Sequence, residues 1–254
     1  MGRAIAKRFL DEGATVVLFD VDETVERTAV GLDPSGTRAV AVVGDVADRA
    51  AVRGAVEAAL ERSGHLDVLV SQAGIADLEP LLEVADSSWQ RMLDVNLTGA
   101  FIAVQEAARA MAERRGGAVV VTSSTNAWFV EAHTAPYSAT KAALVGFVRA
   151  AALDLAPYRI RINSVSPGII RTRLSAPLTN DQHAAREYLK RVPLQRFGEP
   201  HEVADAVAFL ASSQSTYITG ENLVVDGGAS LGVTLEIGDQ FSSGPIHKAF
   251  EPGG

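Results

Sequence analysis

An α/β fold, built as one domain on a doubly wound and mainly parallel sheet, is what three features of this sequence predict. Short β-branched and apolar runs alternate with segments of helical period along most of the chain, the rhythm of βαβ units with right-handed crossovers. The runs are continuously apolar rather than alternating, as strands buried on both faces are, so helices should cover each side of the sheet. The chain has 254 residues, with no linker-like stretch, internal repeat or low-complexity tract, which suits one domain with a sizeable core.

The elements follow in order. Residues 3–12 carry Ile5, Ala6, Phe9 and Leu10 at helical spacing, and Gly13 closes the segment as a C-cap does. Thr15-Val16-Val17-Leu18-Phe19 reads as a buried strand ending at Asp20. A helix near 22–31, a strand near 39–43, a helix near 48–62 and a strand at 66–70 repeat the pattern. Residues 86–114 form one long helical stretch, followed by a strand at 118–122, a helix near 136–156 and a strand at 160–165. A helix near 200–212 and a strand at 222–225 lead to Asp226-Gly227-Gly228. Residues 171–197 differ, because Pro177 and Pro193 are mixed with polar and isolated apolar residues without a clean period. Irregular insertions of this length are often lids or binding loops. Leu174, Leu178, Tyr188, Leu189, Val192 and Leu194, with Trp128 and Phe129, are candidates to line a mainly apolar pocket; packing of the lid on the body is the competing account.

Composition removes several classes of function. Hydrophobic residues make up 47% and charged residues 21%, an ordinary globular balance. No apolar run approaches the roughly 18 residues of a membrane helix, so no membrane partner is expected. A net charge of −8 without a basic stripe argues against nucleic acid. The lack of cysteine excludes disulfides and thiolate metal sites, and His65, His133, His183, His201 and His247 show no metal-ligand spacing, so no metal is expected. Met1 to Ala6 form neither a signal-peptide apolar region nor a myristoylation pattern, which makes a cytoplasmic protein the expectation.

The chemistry concentrates in Tyr137-Ser138-Ala139-Thr140-Lys141. Four residues separate phenol from ammonium, which puts both on one face of a helix. A phenol of ordinary pKa, about 10, is a poor base at neutral pH, and a nearby cation lowers that value. Ser124 stands thirteen residues upstream of Tyr137, just past the strand Ala118 to Thr122, and would be aimed into the crevice at the sheet's carboxyl edge. Near the start, Gly2 precedes the first helix and Asp20 ends the next strand. In dinucleotide folds a glycine lets the backbone approach the pyrophosphate, and an acid about 20 residues later accepts the ribose hydroxyls. The Asp20 carboxylate would repel a 2′-phosphate, which favours NAD over NADP.

Asn96, Ser124, Tyr137 and Lys141, with Pro167-Gly168 after the following strand, resemble the short-chain dehydrogenase/reductase family from Gly2 to Gly228. The resemblance implies a single-domain Rossmann-type fold over residues 1–228, with a substrate loop at 171–197 and a C-terminal tail at 229–254. It implies that Tyr137 is the general acid/base, that Lys141 lowers its pKa and holds the nicotinamide ribose, that Ser124 positions the substrate oxygen, and that Asn96 holds a proton-relay water. By the same resemblance Asp45-Val46 and Ala73-Gly74 cradle the adenine and its ribose, while Pro167, Gly168, Ile170 and Thr172 meet the nicotinamide carboxamide. The implied activity is NAD-dependent transfer of hydride between a secondary alcohol and a ketone, by a homodimer or homotetramer paired through the 136–156 helix and the long helix before it. Small residues along that helix, Ala139, Ala142, Ala143, Gly146, Ala150 and Ala151, suit such pairing. Ser71-Gln72 departs from the family's usual Asn pair and puts one sheet-to-loop hydrogen bond in doubt.

A larger departure lies at the start. Family chains open with a strand and a Thr-Gly-x-x-x-Gly-x-Gly turn, of which Met1-Gly2 matches only the end. The strands beginning at Thr15 and Leu66 should therefore face each other across a gap where that first strand would lie. The expectation is that Met1 is an internal methionine and that a working protein carries roughly 10 to 20 more residues upstream. The alternative is a cofactor-deficient scaffold or regulatory subunit. A nucleotide-sugar epimerase or dehydratase is a third reading, for which the chain leaves no room for a substrate domain.

Overall fold

A computed structural model describes residues 1–114 and 116–232, and in it the apolar runs become strands of two parallel sheets. Helix α1 (Gly2–Asp11) leads into β1 (Val16–Asp20), and α2 (Thr24–Leu32) carries the chain to β2 (Ala39–Val43), which pairs with β1. Helix α3 (Arg49–Ser63) crosses to β3 (Val68–Ser71), after which α4 (Asp86–Leu93) and α5 (Gly99–Arg114) lead to β4 (Gly117–Thr122). Helix α6 (Ala135–Leu155) precedes β5 (Ile160–Pro167). Three helices, α7 (Ala176–Thr179), α8 (Gln182–Leu189) and α9 (Pro200–Ala211), then precede β6 (Asn222–Val225). The second sheet has the order β3-β4-β5-β6.

Each strand serves two helical layers through its period of two. In β4, Val119 and Val121 pack with Ala107 and Met111 of α5 and Leu144 and Val148 of α6, while Val120 packs with Ile5 of α1 and Val203 and Val207 of α9. All three valines are at most 1% exposed. Burying each contributes roughly 1.5 to 3 kcal/mol, an upper range because the unfolded chain already hides some surface.

The expected gap is present. Among the described residues β1 bonds only to β2 and β3 only to β4, so each keeps one open edge. The helices nevertheless run across the break: Phe19 of β1 and Leu69 of β3 pack on one cluster that holds Val52 of α3 and Ile102 of α5. The side chains of Val16 to Phe19 and of Val68 to Val70 are only half-buried, in contrast to β4.

Two expectations are corrected. The long helix of 86–114 is interrupted by a π-helical turn at Asp94–Thr98, in which the Gly99 N–H reaches back to Asp94 O. Such a turn adds a residue without disturbing the apolar stripe enough to register in the sequence, and it is common at functional sites. The 171–197 segment contains α7 and α8 rather than being irregular throughout, and Asp181 caps α8 by accepting the Ala184 N–H at 2.7 Å. The segment's ends are tied together, with Arg171 N–H donating to Gly198 O at 2.9 Å and Gly198 N–H to Ile169 O at 3.1 Å. Of the tail expected at 229–254, Ala229–Leu231 form a 3-10 turn, and 233–254 lie outside the described residues.

The open edges have a readable consequence. Val16 N–H donates to Arg38 O and Asp20 O accepts from Gly44 N–H, so by alternation Val17 and Phe19 present their N–H groups to the open side of β1. In hydrogen exchange these two amides should lose protection at least about tenfold faster than Leu18 and Val120. Uniform protection along β1 would show that the edge is covered in solution.

Candidate active site

The end of β4 and the first turns of α6 build the centre of the site. Ser124 follows β4 and caps a 3-10 turn at Thr125–Ala127, its hydroxyl accepting the Asn126 N–H at 3.2 Å. Pro136 sits in the first turn of α6, where its fixed φ suits a helix start and its missing N–H leaves nothing unpaired. Tyr137 therefore falls in that turn, with Lys141 one turn later. Lys141 Nζ lies 5.6 Å from the Tyr137 ring centroid, as the four-residue spacing requires. The same Nζ donates to Thr122 O at 2.9 Å, and Ser123 Oγ donates to Lys141 O at 2.8 Å, so α6 is tied to the end of β4 at two points.

Asn96 reaches the site from the π-helical turn and is 0% exposed. Its Oδ1 accepts the Ile75 N–H at 2.8 Å and its Nδ2 donates to Ile75 O at 2.9 Å, which fixes the loop after β3. A Cβ on Gly74 would lie 3.4 Å from both Asn96 Oδ1 and Lys141 Nζ, so a side chain there would crowd the ammonium. The four residues singled out in the sequence thus stand together where the end of β4, the first turns of α6 and the π-helical turn meet.

The electrostatics differ from the sequence expectation. Burial pushes the Tyr137 phenol above its ordinary pKa; the Ser124 hydroxyl beside it pulls downward, and the Glu131 carboxylate pushes upward again. The net direction is upward although the Lys141 ammonium, which donates to Thr122 O, stands 5.6 Å from the ring centroid. Burial pushes Lys141 itself down to about 8.

The remaining candidates ring the carboxyl ends of the strands. Asp20 is exposed at the end of β1, where its Oδ1 accepts the Asp22 N–H at 3.0 Å. Gly2 opens α1, and a Cβ there would lie 3.7 Å from Gln72 past the end of β3, so the helix start points toward the crevice edge. The Asp45 carboxyl is held below its usual range by the Ala47 N–H and by Arg91, whose NH1 is 3.0 Å from Oδ2. Val46 is buried under Gly99 of α5, which leaves its backbone rather than its side chain for a ligand. Ala73 lies in the loop fixed by Asn96. Pro167 ends β5, and a Cβ on Gly168 would lie 2.8 Å from Asp226 Cβ, so that turn admits only glycine. Ile170 is buried, and Thr172 is half-buried with its N–H donating to Ser175 Oγ at 3.1 Å.

Sequence reasoning missed three ties. Ser175 organises the loop around Ile170 and Thr172, and the Thr-x-x-Ser spacing was its signal. Gln72 accepts the Thr122 hydroxyl at 2.8 Å, a contact that joins the ends of β3 and β4 where the family's Asn pair is absent. Thr140 bridges Asn96 and Tyr137 from inside α6.

Comparison with known proteins agrees with this geometry. The family described as Enoyl-(Acyl carrier protein) reductase matches residues 1–230. The chain is 34% identical over 245 residues to oxidoreductase UcpA of Escherichia coli K12, covering 94% of this chain and 93% of that protein. It is 36% identical over 243 residues to 2,3-dihydro-2,3-dihydroxybenzoate dehydrogenase of Bacillus subtilis, covering 92% and 93%. A crystal structure of gluconate 5-dehydrogenase from Burkholderia cenocepacia, in complex with NADP and tartrate, is similar with a TM-score of 0.85 at 33% identity over 91% of each chain. The chain belongs to the short-chain dehydrogenase/reductase family, a Rossmann-type α/β oxidoreductase family acting on alcohol-type substrates.

The residues present fit a nicotinamide dinucleotide. The buried Lys141 ammonium, with Thr122 O as its acceptor among the described residues, keeps N–H donors for ribose hydroxyls, and Gly74 places no side chain beside it. The same burial gives a pH signature. Burial holds Lys141 near 8 in the folded chain, against an ordinary lysine value of about 10.4 when unfolded, so its charge opposes folding most fully below pH 8. As pH rises from about 7 to about 10, unfolding free energy should rise by about 2 kcal/mol in the parent relative to Lys141→Met, measured by urea titration. Parallel curves for the two proteins would refute the buried charge.

Proposed function

We propose that the chain is an NAD(H)-dependent oxidoreductase that interconverts a secondary alcohol and a ketone, with Tyr137 as general acid/base. The observation that carries this reading is the pairing of a buried ammonium, Lys141, with a neutral phenol, Tyr137, beside Ser124 and a side-chain-free Gly74. A bound nicotinamide supplies the hydride acceptor or donor. Lys141, Asp20, the start of α1 and the loops at 73–75 and 167–172 would hold the dinucleotide. Ser124 donates to the substrate oxygen and keeps it against the phenol. In ketone reduction Tyr137 gives its proton to that oxygen, and a phenol raised by burial is well kept for the task. In alcohol oxidation the phenolate takes the proton, and the positive charge of Lys141 favours that form.

Tyr137→Phe should lower turnover by at least about a hundredfold on any alcohol the parent oxidises, followed by NADH absorbance. Near-full turnover in that variant would remove Tyr137 from the mechanism. The exposed Asp20, followed by Asp22 and Glu23, supports NAD over NADP, although the similar gluconate 5-dehydrogenase holds NADP. Calorimetric titration should therefore give saturable heat with NADH and at least about tenfold weaker binding of NADPH.

A second reading is favoured by the break between β1 and β3: a scaffold that keeps the fold without holding the nucleotide. Such a scaffold gives no saturable heat with either nucleotide. Assembly belongs to the leading proposal, because Ala139, Ala142, Ala143, Gly146 and Ala150 are exposed on α6. Beside them, the part-exposed Phe101 of α5 meets Phe147 edge-on at 6.2 Å. Light scattering at micromolar concentration should return a dimer or tetramer, and a monomeric mass would refute it.

A further inference from the structure

Thr140 lies inside the Tyr-to-Lys turn, yet its side chain faces away from solvent and is 1% exposed. Its Oγ1 donates to Tyr137 O at 2.7 Å, the back-bond within a helix that a Thr rotamer permits. A hydroxyl has one proton, and that bond uses it, so toward any other neighbour Thr140 can only accept. What it accepts is a proton of Asn96 Nδ2 at 3.2 Å.

The counting on Asn96 then closes. Its Oδ1 is fixed by the Ile75 N–H, one Nδ2 proton goes to Ile75 O, and the other has Thr140 as its acceptor. Asn96 is 0% exposed, so without Thr140 that proton has no water to turn to. The hydroxyl therefore joins three segments: the loop after β3, the π-helical turn and the first turn of α6 that carries Tyr137.

We propose that Thr140 is a positioning residue of the reaction, its hydroxyl holding the Asn96 carboxamide against the Tyr137 turn so that phenol and nucleotide loop keep one relative placement. This rests on the oxidoreductase reading above. Thr140 touches neither substrate nor cofactor; it acts through Asn96 and through the backbone of Tyr137. Loss of the hydroxyl should disturb the reaction step more than the binding of the alcohol.

The test uses the full chain and three variants. Thr140→Val keeps the shape and removes the hydroxyl, whereas Thr140→Ser restores it; Thr140→Ala replaces the valine variant if that protein does not unfold cooperatively. In Thr140→Val, kcat should fall at least about tenfold with KM for the alcohol unchanged, and Thr140→Ser should regain most of the loss. The Asn96 carboxamide protons, followed by NMR, should exchange slowly in the parent and Thr140→Ser and quickly in Thr140→Val. Parental kcat in Thr140→Val overturns the proposal, whatever the exchange shows. If the parent oxidises no alcohol, the oxidoreductase reading fails by itself. Carboxamide exchange then decides alone, and unchanged exchange in Thr140→Val overturns the role given to Thr140.

Discussion

A cation taken out of bulk water has to be met by the protein, and the buried Lys141 ammonium imposes that condition on everything near it. It is satisfied by Thr122 O at the end of β4, while Ser123 holds the lysine's own carbonyl, so strand and helix cannot slide past one another without exposing the charge. The loop after β3 comes close, and a Cβ at Gly74 would touch both the ammonium and Asn96 Oδ1 at 3.4 Å. Desolvation loosens the ammonium's hold on its proton, and the same enclosure keeps the neighbouring phenol protonated. A single buried charge thus links the packing of β4 and α6 to the acid/base character of Tyr137.

The sequence was most legible where one physical signal dominated. The strands at 39–43 and 222–225 fall within the predicted limits because their runs are short, apolar and bounded by turn residues. Tyr137 and Lys141 were legible because a helical spacing of four leaves little freedom. The π-helical turn at Asp94–Thr98 was not, since the residues on either side keep helical periodicity and only the backbone bonding changes. Helix α8 was hidden because its apolar face meets the lid rather than a sheet, so Tyr188 stacks on Phe197 at 5.9 Å instead of joining a long stripe. The raised phenol was also illegible: spacing brings a cation near, but the burial that pushes the phenol upward comes from the tertiary packing.

Cohesion across the two sheets comes from side chains. Backbone bonding stops between β1 and β3, yet Phe19 and Leu69 share the cluster under α3 and α5, and Met1, just before α1, and Phe9 of α1 pack in the same cluster as Val70. Hydrophobic contact has no direction and tolerates a gap that a hydrogen-bond ladder does not. Asp20 consequently stands at the end of one sheet and Lys141 on a helix packed against the other, their relative placement set by the helical layers.

The pairing of Ile170 with Gly198 ties the two ends of the 171–197 segment to one point of the body. For a loop with joined ends, doubling the length costs only about 0.6 kcal/mol in closure entropy. The stretch carrying α7 and α8 can therefore change length at small entropic cost, while Val192 and Leu194 hold the later part of the segment against Gly227 after β6. In evolutionary terms that stretch is where insertions and deletions disturb β5, β6 and the Tyr-Lys turn least.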